Sequence, residues 1–194
     1  MKYKIVDNFF NHDNYLKIKK ALLDEQEFYC IPSISGGEKD PKLFYGLGCN
    51  FVTESNKGKY QDRRNQQIVQ QVNMRIMQNY GQEFGFRNVI RSRLDLTTYR
   101  GEHVKFKAHT DLDGEHWTSI FYLTTCNSPT ILYEEEQLKV KDFYDNKINQ
   151  EELTEHVRVD AVENRLLIFE GNYLHTGLCA YDVPVRLLLN SNFR

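Results

Sequence analysis

The sequence is poor in the residues that mark several protein classes. Its 194 residues include one Trp, four Pro and four Cys. The cysteines, Cys30, Cys49, Cys126 and Cys179, lie far apart with no Cys-x-x-Cys pair, so a zinc ribbon or a thioredoxin-type redox site has no support. No apolar run approaches about 18 residues, and no membrane span is expected. Met1 to Asp7 is too polar for a secretory signal. A disulfide framework is therefore not expected, and a reducing cytoplasm is the expected compartment. An excess of one charge is missing too. Lys and Arg number 25 against 27 Asp and Glu, a net −2, which gives no electrostatic footprint for nucleic acid or a membrane surface. Internal repeats and low-complexity tracts are absent as well.

Aromatic residues are plentiful, with 12 Phe and 12 Tyr. Such residues favour strands and tilt the reading towards a β-rich fold. The length fits one domain over 1–194, with helical support over about 1–87 and a β core over about 88–194. Lys2 to Phe10 reads as a strand. Asn11 or Asp13 can cap a helix carrying Tyr15, Leu16, Ile18, Leu22 and Leu23. Arg63 to Tyr80 is the clearest helix, with Val69, Val72, Ile76 and Tyr80 on its buried stripe and Gly81 as its stop.

From Asn88 the pattern has period two. The expected strands are Val89–Arg100, His103–His109, Trp117–Thr124, Thr130–Tyr133, His156–Val162, Arg165–Phe169 and Val185–Phe193. Helices first and strands afterwards imply an α+β, mainly β fold with helices on one face of a sheet system, and short strands joined by turns mean a sandwich or barrel. Two stretches resist this reading. Residues 31 to 60 are rich in Gly and Pro and read as a strand within Leu43–Val52 beside a lid. Residues 134 to 155 carry eight acidic residues against three lysines and read as a solvated insertion.

The chemistry centres on His109-Thr110-Asp111. On a strand, residues i and i+2 point to one face, so His109 and Asp111 aim together. Two histidines and one carboxylate on one triangular face suit non-haem Fe(II) and leave positions open. A lone His-x-Asp occurs by chance in many chains, and its context strengthens it. His175 sits in Gly171-Asn172-Tyr173-Leu174-His175-Thr176-Gly177, read as a turn after an apolar strand. Arg186 stands between Val185 and Leu187 in an otherwise apolar strand. A buried guanidinium is costly unless paired, so it meets either a structural carboxylate or an anionic ligand. The remaining histidines read as surface or supporting residues: His103 at the mouth of the site, His116 near a turn, His12 and His156 in solvent.

With Tyr99 ten residues before His109, the strand Thr118 to Leu123, Asn164 to Phe169, His175 and Arg186 in this order, residues 88 to 194 resemble a 2-oxoglutarate- and Fe(II)-dependent oxygenase, nearest in pattern to the prolyl-hydroxylase-like group. The resemblance implies a double-stranded β-helix, or jelly roll. It implies that His109, Asp111 and His175 bind Fe(II) and that Arg186 pairs with the distal carboxylate of 2-oxoglutarate. Tyr122 is implied as a donor to that carboxylate, Tyr99 as a further contact whose alternative is a buried hydroxyl bonded to backbone, and Asn190 as a pocket-lining residue. The implied reaction consumes O₂ and 2-oxoglutarate, releases succinate and CO₂, and hydroxylates a C–H bond of a peptide, prolyl included, or of a small molecule. Related halogenating members lack the carboxylate, so Asp111 favours hydroxylation. The competing reading is a catalytically silent, cupin-like jelly-roll binding module. Repair of alkylated nucleic acid resembles a pattern with two arginines six apart, whereas Arg186 and Arg194 are eight apart.

Overall fold

The central strands of this chain, over Trp117–Tyr122, Leu166–Glu170 and Val185–Phe193, are buried on both faces, and that double burial sets the architecture. The computed structural model describes residues 1–32, 45–101, 104–136 and 150–194. The expected lid falls partly on 33–44, the expected solvated insertion partly on 137–149, and His103 on 102–103; these lie outside the described residues.

The strands are β1 (Tyr3–Val6), β2 (Tyr29–Ile31), β3 (Gly46–Val52), β4 (Val89–Thr98), β5 (Trp117–Tyr122), β6 (Cys126–Glu136), β7 (Glu155–Ala161), β8 (Leu166–Glu170), β9 (Tyr173–Gly177) and β10 (Val185–Phe193). Helix α1 spans His12–Leu23 and α2 spans Gln66–Phe84. One antiparallel sheet has the order β1-β8-β5-β10-β4-β3-β2, the other β7-β6-β9. Residues 104–109 run along the free side of β9 through bridges Lys105–Leu178 and His109–His175. The expected strand His103–His109 is thus a broken edge rather than a continuous ladder.

The alternating faces of the large sheet separate two cores. Leu94, Leu96, Phe121, Leu187, Leu189 and Phe193 point to the helices, where they meet Tyr15, Ile18 and Leu22 of α1 and Val69, Val72 and Ile76 of α2. Trp117 lies on this helix side against Phe84, ring centroids 4.7 Å apart. Ile120, Tyr122, Leu167, Phe169 and Leu188 point the other way and pack on Leu132 and Val159 of the small sheet. The two sheets therefore face each other, with both helices on one outer face, as a mainly β α+β chain requires.

Local chemistry explains the element ends. Asn11 caps α1, its side chain accepting from Asn14 N at 2.9 Å. Asn8, with φ of 52°, ends β1 well before Phe10. Gly81 does not stop α2. It lies inside the helix, where a Cβ would sit 2.7 Å from the Phe86 carbonyl oxygen, and the cap is Gly85 at φ 79°. All four cysteines are free. Among the described residues, no helix is long and apolar enough to cross a membrane.

Candidate metal centre

His109 and His175 are opposite partners on neighbouring extended segments. His109 N donates to His175 O at 3.0 Å, and His175 N donates to His109 O at 2.9 Å. Such a reciprocal pair sends both side chains to the same face, and the imidazole centroids are 4.7 Å apart. His175 is a strand residue of β9, not part of a turn. Asp111 follows after the chain has left this edge, so the i, i+2 alternation of an unbroken strand does not place it. It still returns to the same spot: Asp111 Oδ2 lies 3.7 Å from His175 Nε2. One ligand atom from each of the three residues lies within 4.8 Å of the others.

The surroundings prepare these donors. His109 Nδ1 lies 2.9 Å from the Lys107 carbonyl oxygen. A carbonyl only accepts, so Nδ1 carries the proton and Nε2 keeps its lone pair for a metal. His175 Nδ1 has a longer approach, 3.5 Å, to the Tyr173 carbonyl. Burial pushes both imidazoles below their ordinary pKa, against the pull of Asp111; His175 falls to about 4, with His109 adding to the depression. Burial alone would raise the Asp111 carboxyl. Arg91, the two histidines and a hydrogen bond from Asn192 overcome it and hold the group well below the carboxylate range. Arg91 Nη1 donates to Oδ1 at 2.9 Å, Asn192 Nδ2 to Oδ2 at 3.0 Å, and Asn190 Nδ2 reaches both oxygens at 3.1 Å. Two neutral imidazoles and an ionised carboxylate form a set that a divalent first-row metal accepts.

A cavity opens from His109 and His175 towards Arg186, with Ile120, Leu188 and Phe106 among its apolar walls. Arg186 is 6% exposed. Its Nε donates to the Ser128 carbonyl at 3.2 Å and Nη2 approaches Thr130 Oγ1 at 3.5 Å. Among the described residues no carboxylate pairs with it. Tyr122 is fully buried, its hydroxyl donating to Thr130 Oγ1 at 2.7 Å. Its phenol is pushed up to about 12 by burial, with Arg186 opposing.

The structure thus brings together His109, Asp111, His175, Arg186 and Asn190, with Tyr122 one side chain behind Arg186. It does not bring Tyr99. The chain turns at Gly101, φ 79°, and Tyr99 lies 55% exposed in a separate hollow with Pro184 and Tyr181. His116 also stays outside the trio, buried against Gly171 with Nδ1 on the Gly114 carbonyl at 2.8 Å. Sequence reading missed Arg91, Arg93, Asp95, Thr130 and Asn192. The signal for the first three was the run Arg91-Ser92-Arg93-Leu94-Asp95-Leu96-Thr97, charged or polar at alternate positions with Leu94 and Leu96 between; Thr130 and Asn192 carried none.

No protein-family model matches the sequence, and no curated protein sequence matches it. Solved structures do match. A 2OG-Fe(II) oxygenase family oxidoreductase from Burkholderia pseudomallei has a TM-score of 0.69 at 10% identity, over 98% of this chain and 84% of that one. A Trichoplax adhaerens prolyl hydroxylase, solved with a hypoxia-inducible-factor peptide fragment, has a TM-score of 0.63 at 15% identity, over 98% and 82%. The non-heme α-ketoglutarate-dependent epimerase SnoN of nogalamycin biosynthesis has a TM-score of 0.64 at 13% identity, over 99% and 77%. The chain has the fold of the 2-oxoglutarate/Fe(II) oxygenases, prolyl hydroxylases among them.

Proposed function

We propose that this protein is an Fe(II)- and 2-oxoglutarate-dependent dioxygenase with a jelly-roll core, hydroxylating a C–H bond of a peptide or small molecule. The observation that carries the reading is Arg186. A guanidinium so deeply buried leaves a large desolvation cost uncompensated unless an anion meets it. Its cavity runs to the histidines of the His-Asp-His cluster. A silent binding module has no use for both.

The residues fit the missing groups. His109, Asp111 and His175 would hold Fe(II), and Arg186 would hold the distal carboxylate of 2-oxoglutarate. When bound, they supply O₂ activation coupled to decarboxylation of 2-oxoglutarate to succinate and CO₂, with one oxygen atom passing to the substrate C–H bond. The protein's own part is positioning. Asn190, Asn192 and Arg91 fix the plane of the Asp111 carboxylate, and the Lys107 carbonyl fixes the His109 tautomer. Tyr122 steadies Thr130, which in turn lies against the Arg186 fork. Ile120, Leu188 and Phe106 keep water from the space between.

The test is succinate release from 2-oxoglutarate in the presence of Fe(II) and O₂. Arg186→Ala is expected to raise the half-saturating 2-oxoglutarate concentration at least about 10-fold, the scale of a lost charge-assisted contact. An unchanged concentration dependence would remove Arg186 from the cosubstrate pocket.

A further inference from the structure

Four residues that line one cavity, Arg93, Asp95, Thr97 and Asn190, each bury a polar side-chain atom without an aligned hydrogen bond. Buried polar groups are nearly always satisfied, so a cluster of exceptions calls for an explanation. One buried water makes about two to four hydrogen bonds; four polar residues spread along β4 and the end of β10 form a wall that a larger polar ligand can complement. Arg93 and Asp95 do touch, Nε to Oδ1 at 2.5 Å. That contact occupies Arg93 Nε and Asp95 Oδ1; neither side chain makes a further hydrogen bond to a described residue, so the terminal guanidinium nitrogens and the second carboxylate oxygen are left for a third partner.

Strand register places this wall. Arg186 pairs with Thr97, Leu188 with Asp95 and Asn190 with Arg93. The cavity faces of β10 and β4 therefore form two parallel lanes about 4.8 Å apart. The β10 lane runs from Arg186 to Asn190, whose amide holds Asp111. The β4 lane runs beside it and ends next to the same carboxylate, through Arg91. A dicarboxylate matches only the first lane, since in the second it would meet Asp95.

Resting on the oxygenase reading, we propose that Arg93 and Asp95 anchor the primary substrate, and that this substrate is a free α-amino acid. Its carboxylate lies on Arg93 and its ammonium on Asp95, leaving the side chain to reach the metal centre. The wall carries one charge of each sign, side by side, so a zwitterion gives two charge-assisted contacts and leaves no net charge buried. A residue inside a peptide offers neutral amides there and gives up both. The anchor is also deep, with Arg93 and Asp95 side chains 16% and 10% exposed, whereas a through-running peptide needs an open groove at both ends.

The experiment is a binding titration of the Mn(II)-loaded chain, by calorimetry or thermal shift. The ligands are the free L-amino acids, each beside its N-acetyl and its carboxamide derivative. At least one free amino acid is expected to bind, and each blocked form of it at least 10-fold more weakly. Arg93→Gln should weaken the free amino acid at least 10-fold while leaving its carboxamide nearly unaffected; Asp95→Asn should do the same with respect to the N-acetyl form. Such paired losses identify which charge meets which residue. In case a single change leaves a buried charge that unfolds the chain, Arg93→Met with Asp95→Leu removes both at once; folded and without amino-acid binding, it supports the anchor. The proposal is overturned if no free amino acid binds, if blocked or peptide forms bind as tightly, or if the folded double variant still binds. Amino-acid binding in a chain that shows no Fe(II)-dependent response to 2-oxoglutarate would support the anchor and overturn the oxygenase reading.

Discussion

Asp111 accepts hydrogen bonds on both carboxylate oxygens, from Arg91, Asn190 and Asn192. Such outer partners hold a metal ligand in one orientation, and losing one typically costs 10- to 100-fold in affinity. Asn192→Ala is expected to weaken Fe(II) or Mn(II) binding about 10-fold with little change in helix content; an unchanged metal affinity would make Asn192 a passive neighbour. The histidines give a second test. His175 is neutral in the fold down to about pH 4 but titrates near 6.5 when unfolded, and His109 is shifted in the same direction. Between those values the unfolded chain binds more protons. The histidine contribution is fully present above about pH 6.5 and is lost as pH falls towards 4, by about 1.4 kcal/mol per pH unit for each such proton. Denaturant melts of the metal-free chain at pH 7 and pH 5 check the sign; equal stability would contradict it. Arg186 was legible in the sequence as a charge between Val185 and Leu187, and His109, Asp111 and His175 were legible as a trio only through their order and spacing; the structure brings that trio together. Arg93 and Asp95 were not, because alternating charge on a strand also describes a solvated face, and only the second sheet shows that this face is buried.

Elements were legible where one period ruled. The stripe Val69, Val72, Ile76 gave α2 directly, and the cavity-facing and helix-facing sets of β10 follow from its alternation. Element ends were less so. Gly81 carries the residue type of a stop yet serves close packing, while Gly85 four residues later makes the left-handed cap. The two roles separate on substitution. Gly81→Ala brings a methyl to 2.7 Å from the Phe86 carbonyl oxygen and is expected to cost roughly 1–3 kcal/mol, as overpacking does. Gly85→Ala meets nothing within 4 Å and is expected to cost about 1 kcal/mol, from φ alone. Urea unfolding that ranks Gly85→Ala as the more damaging would reverse these assignments. His175 was read on a turn because Gly171 and Gly177 flank it; pairing with β6, a partner far away in sequence, makes the segment a strand.

At the scale of the molecule, two sheets close on each other and α1 and α2 cover one outer face. That arrangement puts the small sheet's His175 and the large sheet's Arg186 on one cavity, with Asp111 against His175. The order of strands after Asn88 was legible, since each expected strand but one has its counterpart. The facing of the sheets was not, because it depends on pairings between distant segments. One cavity is lined by both histidines of the His-Asp-His cluster and by the buried Arg186 guanidinium, and the proposed chemistry needs both at once. The most direct test is an anaerobic titration of the purified chain with Fe(II) and then 2-oxoglutarate, following visible absorbance. A band should appear only when both are present, should be lost in His109→Ala and Asp111→Ala, and should need more 2-oxoglutarate in Arg186→Ala. No band in the unaltered chain, or an equal band in His109→Ala and Asp111→Ala, would contradict the oxygenase assignment.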